Sequence, residues 1–126
     1  MTQLEEIEKV LAVYEKRYGI SSIEFLKKQE LDDADNKADF VEWASLAKSA
    51  EYLRQLVDIE KALANHEKKY GMSTMEFLKK QKSGDADNRA DFVEWASLAK
   101  KAESLHQLVR GENSIRKLRE SSLISL

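Results

Sequence analysis

The sequence predicts an all-α fold, and three observations carry that prediction. The chain of 126 residues has no proline and only four glycines, so it holds few helix breakers. Its apolar residues recur at alternating steps of three and four, as they do along one face of a helix. The sequence also contains itself. Residues 7–57 align with residues 59–109 at a fixed offset of 52, without gaps, and 37 of the 51 pairs are identical.

The first helix is read from Leu4, Ile7, Leu11, Tyr14 and Tyr18, one apolar stripe close to a heptad seam. Gly19 stops it as a C-cap. Ser21-Ser-Ile-Glu24 reads as a capping box, in which the Ser hydroxyl and the Glu carboxylate each satisfy a backbone N–H. It opens a short helix to about Gln29. Tyr70, Gly71 and Ser73-Thr-Met-Glu76 repeat these signals.

An acidic stretch follows, Asp32 to Asn36, matched by Gly84 to Asn88. Asp35 or Asn36 is the expected N-cap of the next helix, and the neighbouring carboxylates favour the positive end of its dipole. That helix places Phe40, Trp43, Ala47, Ala50 and Leu53 on one broad face, with Leu46 and Leu56 beside it. No breaker separates Asn36 from Lys69, so it either runs on into the second copy or bends near Val57-Asp58. Gly111 is expected to end the last helix, followed by a basic tail.

The domain reading is therefore residues 1–58 as helical repeat 1, residues 59–110 as helical repeat 2, and residues 111–126 as a C-terminal tail. One helix hairpin scarcely covers its own apolar face. Two hairpins can do so as a four-helix bundle of approximate two-fold symmetry.

Composition narrows the function. Charged residues make up 35% of the chain and leave a net charge of −2. That balance disfavours a nucleic-acid binder, which needs a basic surface; only the tail residues Arg110, Arg116, Lys117 and Arg119 offer one. The absence of cysteine excludes disulfides, thiolate zinc sites and cysteine nucleophiles, and fits a reducing compartment. No apolar run approaches the roughly 20 residues that span a bilayer. The first residues, Met-Thr-Gln-Leu-Glu-Glu, form no signal core. The expected location is the cytoplasm.

No motif for catalysis, cofactor or metal emerges. Asp85-Ala-Asp-Asn resembles the start of a calcium loop, but such a loop needs Gly at its sixth place and Glu at its twelfth, where Ala90 and Ala96 stand. His66 replaces Tyr14 and His106 replaces Arg54, so neither histidine recurs between copies. Ser21 and Ser45 have no glycine elbow, and the glycines form no phosphate loop. What remains is a surface for a partner. Its candidates are Asp33, Asp35, Asp39, Phe40, Glu42 and Trp43, repeated as Asp85, Asp87, Asp91, Phe92, Glu94 and Trp95. The bland alternatives are helix capping for the carboxylates and core packing for the aromatics.

The pattern Glu15-Lys-Arg-Tyr-Gly-Ile-Ser-Ser-Ile-Glu-Phe25, an acidic loop, then Asp39-Phe-Val-Glu-Trp-Ala44 resembles small helical prokaryotic antitoxins. Copy two carries it from Glu67 to Phe77 and from Asp91 to Ala96. The resemblance implies a non-enzymatic module that binds a toxin, for example a ribonuclease. The relatives in question are single modules, so the duplication is a departure. A structural bundle that pairs with itself as a homodimer is the alternative.

Overall fold

The computed structural model describes residues 2–31, 38–82 and 89–124. Five helices follow one another: α1 Gln3–Tyr18, α2 Ser22–Leu31, α3 Ala38–Tyr70, α4 Thr74–Lys82 and α5 Ala90–Ile124. No strand occurs among the described residues, so the all-α class holds. None of the helices is long and apolar enough to cross a membrane among these residues.

The ends of α1 follow its sequence. The Thr2 hydroxyl accepts from the Glu5 N–H at 3.2 Å, and Glu5 and Glu6 sit in the first turn, where the helix dipole favours anions. Gly19 closes the helix at φ 70, and its N–H donates to the Glu15 carbonyl at 2.8 Å. A side chain is strained at that φ, which is why glycine stands there. Gly71 does the same at φ 66.

Helix α3 settles the choice left open at Val57-Asp58. It runs through both residues as one helix of 33 residues, about 50 Å long. Leu53, Leu56, Ile59 and Leu63 keep the apolar spacing across the join, and nothing there favours a stop.

The expectation for Gly111 is corrected. Helix α5 passes through it and continues to Ile124, so residues 111–124 are no separate tail. Gly111 does not adopt the positive φ of Gly19 and Gly71. Glycine inside a helix costs roughly 1 kcal/mol relative to alanine. Anchors on both sides of it offset this. Val109 is buried, and the Arg116 guanidinium donates to Ser45 Oγ at 2.8 Å and to Ser49 Oγ at 3.0 Å. Nothing lies within 4 Å of where a Gly111 Cβ would stand. Gly111→Ala should therefore stabilise the protein by about 1 kcal/mol, read as a rise in the urea midpoint. A fall would show that Gly111 uses a conformation closed to alanine.

Packing divides the chain into two units. One comprises Met1–Arg54 with Leu108–Leu126, the other Gln55–Gln107. In the first, Ile7, Leu11 and Tyr14 of α1 and Phe25 of α2 meet Trp43, Ala44, Leu46, Ala47 and Ala50 of α3. These are the apolar stripes expected of the two helices. In the second, Ile59, Phe77, Trp95, Ala102 and Leu105 are buried.

Candidate partner-binding surface

Each unit is organised around one tryptophan. Trp43 is fully buried. It stacks on Phe25 at 3.9 Å between centroids and on Tyr14 and Tyr18 at 5.6 Å each, while Phe40 tilts against it at 6.5 Å. Trp95, also fully buried, stacks on Phe77 at 4.0 Å, on Tyr70 at 5.8 Å and on His66 at 5.6 Å. His66 thus takes the ring position of Tyr14. An indole N–H needs an acceptor once buried. Trp43 Nε1 donates to Ser22 Oγ at 2.8 Å and Trp95 Nε1 to Thr74 Oγ1 at 2.9 Å. The Ser-to-Thr difference between the copies keeps that hydroxyl.

The same turn is held by a carboxylate that the sequence reading missed. Glu15 accepts from the Ser22 N–H at 2.7 Å, and Glu67 from the Thr74 N–H at 2.7 Å and the Thr74 hydroxyl at 2.9 Å. The Ser21 hydroxyl accepts from the Glu24 N–H at 3.1 Å, as a capping box requires. The carboxylate that meets a free N–H at the start of α2 is Glu15, reaching across the Gly19 turn. Glu15 and Glu67 stand four residues before the two glycines, and that recurrence was the available signal.

The proposed surface residues fall into three groups. Asp33, Asp35, Asp85 and Asp87, with the N-cap candidates Asp35 and Asn36, lie outside the described residues. Trp43 and Trp95 belong to the core and offer a partner no surface; Phe40 and Phe92 are half-buried at its edge. The remaining carboxylates surround that edge. Asp39 accepts from Arg17 at 3.0 Å and from the Tyr18 hydroxyl at 2.9 Å, tying the start of α3 to the end of α1. Asp91 accepts from Lys69 at 2.7 Å and from the Tyr70 hydroxyl at 2.6 Å. Those two bonds and the Lys69 charge hold the Asp91 carboxyl below the usual range, while the hydrogen bonds to Asp91 raise Lys69 and Tyr70. Glu42 and Glu94 are exposed. Glu42 accepts from the Tyr14 hydroxyl at 3.0 Å; Glu94 has no such partner, because His66 stands in the place of Tyr14.

Tyr14 supplies a pH test of this edge. Burial, then its hydrogen bond to Glu42, pushes its hydroxyl from the ordinary 10.0 up to about 12. The folded state therefore holds the proton more tightly than the unfolded chain. The resulting stability is fully present below pH 10.0 and is lost as pH rises toward about 12. Among the four tyrosines, one should ionise only near the top of that window in an ultraviolet titration, and Tyr14→Phe should remove that step. A titration in which Tyr14→Phe removes an ordinary tyrosine would refute the assignment.

Among the described residues no three His, Asp or Glu side chains converge as a metal site requires. A shallow depression of about 280 Å³ lies on α1, lined by Lys9, Val10, Val13, Tyr14 and Arg17. The matching residues of the second copy are Lys61, Ala62, Asn65, His66 and Lys69. Only the pair Lys9 and Lys61 is the same, so the lining differs between the copies. Comparison with known protein families, with characterised proteins and with solved structures finds no match to the chain.

Proposed function

We propose that this protein is a non-enzymatic, antitoxin-like binding module that acts in the cytoplasm, a duplicated helical unit that covers a basic partner with acidic residues. One observation carries the reading. Glu42 and Glu94 are exposed and the aromatics two residues before them, Phe40 and Phe92, are half-buried in both units, so each unit offers a solvent-facing carboxylate within one helical turn of a partly exposed aromatic. A core alone does not demand that surface, because cores tolerate many swaps without surface identity. Charge complementarity of this kind steers encounter and selects partners. Asp33, Asp35, Asp85 and Asp87 precede these residues in the sequence and add to the acidic character of both repeats. The partner that fits is a protein with a cationic surface, such as an RNA-cleaving toxin.

Co-purification from native cells, with mass spectrometry, tests the reading. The expected result is one stoichiometric partner that is toxic when expressed alone. Reversing the charge of Asp33, Asp35, Asp85 and Asp87 should then weaken its binding roughly tenfold or more at low salt. Unchanged binding would remove the acidic surface from the mechanism.

A second reading, self-association, has an observation of its own. On α5, Leu108 is 47% exposed, Ile115 51% and Leu118 71%, at steps of seven and three along one stripe. Recovery of the protein only with itself, as a dimer insensitive to salt, would favour it.

A further inference from the structure

We infer that the second unit carries an open helix-docking face, Val93, Ser97, Lys101 and Ser104 on α5, whose occupant is an amphipathic helix presenting a carboxylate between Ser97 and Lys101. The first unit shows what such a face does. Val41, Ser45, Ser49 and Tyr52 share one side of α3 at steps of four, four and three. There the end of α5 is seated. Arg116 donates to Ser45 Oγ at 2.8 Å and to Ser49 Oγ at 3.0 Å and also meets Asn113, while Asn113 accepts from Gln3 at 3.4 Å. Under it Ser45 is 5% exposed and Ser49 fully buried. The small serines let a helix approach closely and let their hydroxyls accept from its guanidinium.

The matching four residues of the second unit stand at the same steps on α5, and all four are exposed. Val93 is 59% exposed. Two of the four pairs are kept and two differ in a way that bears on the occupant. Valine and the first serine are kept, so the seat keeps its shape there. Ser104 replaces Tyr52, which widens the seat. Lys101 replaces Ser49, which reverses its polarity: an acceptor of hydrogen bonds becomes a cation. A helix with arginine at its centre, including the end of α5 from a second copy, would meet Lys101 with like charge. A carboxylate at that place would accept from both the Lys101 ammonium and the Ser97 hydroxyl. This inference does not rest on the antitoxin-like reading.

The test uses the full chain and two hydrocarbon-stapled, labelled peptides spanning residues 108–124, one native and one with Arg116→Glu. Fluorescence anisotropy should show the Arg116→Glu peptide binding at least about tenfold more tightly than the native one. Lys101→Glu in the full chain should reverse that order, and Lys101→Ser should improve the native peptide alone. Lys101 is exposed, so these variants leave the core untouched. Equal binding of the two peptides would overturn the inference. So would a preference that survives Lys101→Glu, since the peptide would then be exchanging with the seated end of α5 on the first unit.

Discussion

Replacing Trp43 with alanine should cost about 3–5 kcal/mol, the usual penalty for emptying a buried aromatic site. A small domain has only about 5–15 kcal/mol in total, so the first unit should be largely unfolded under mild heating. Trp95→Ala should do the same to the second. The losses have two sources that single variants separate. Trp43→Phe keeps most of the ring packing and removes only the donor to Ser22. Ser22→Ala keeps the indole but leaves its N–H buried without an acceptor, at a cost of roughly 1–3 kcal/mol. Urea denaturation followed by circular dichroism measures each. A Trp43→Ala cost below about 1 kcal/mol would mean that the ring is no core residue, and its reading as a partner anchor would return.

Much of this was legible in the sequence because the signals are local. The steps of three and four in α1 and the start of α3 require only neighbours within two turns. Gly19 and Gly71 each follow a stripe that has just ended and precede a serine that can cap, so their role could be read. Gly111 offered the same letter without that setting. Its helix continues because of Arg116, whose partners Ser45 and Ser49 lie 71 and 67 residues away. No local pattern reports a bond across that separation. The acceptors for the two indoles stand 21 residues before them. They were visible only as a Ser-to-Thr difference that preserves a hydroxyl, one of fourteen differences between the copies with nothing to mark it.

The candidate site was legible in part for a related reason. Aromatic residues and carboxylates at the start of a helix can serve a core and a cap as well as a partner, and spacing does not separate those uses. Burial does. It assigns both tryptophans to the core, gives Asp39 and Asp91 the task of joining successive helices, and leaves Glu42 and Glu94 facing solvent. The surface that remains is narrower and more acidic than the twelve residues read from the sequence.

The continuity of α3 sets the second large effect. Val57→Pro should destabilise the protein by about 3 kcal/mol or more. Proline removes the N–H that bonds to the carbonyl four residues earlier, and its ring collides with that carbonyl. Val57 is 42% exposed, so little packing is lost with its side chain, and Val57→Ala should change stability by no more than about 0.5 kcal/mol. The two tryptophans allow each unit to be followed by fluorescence, with Trp43→Phe or Trp95→Phe silencing one at a time. Both should respond to the proline. Helix α3 brings Trp43 to the first unit and Ile59, His66 and Tyr70 to the second, so a break at residue 57 disturbs the helical backbone that positions rings on either side. An interrupted helix would behave differently: with no N–H bond to lose at residue 57, the proline would leave both transitions where they were. A shift confined to one tryptophan would place the end of a helix, rather than its middle, at Val57.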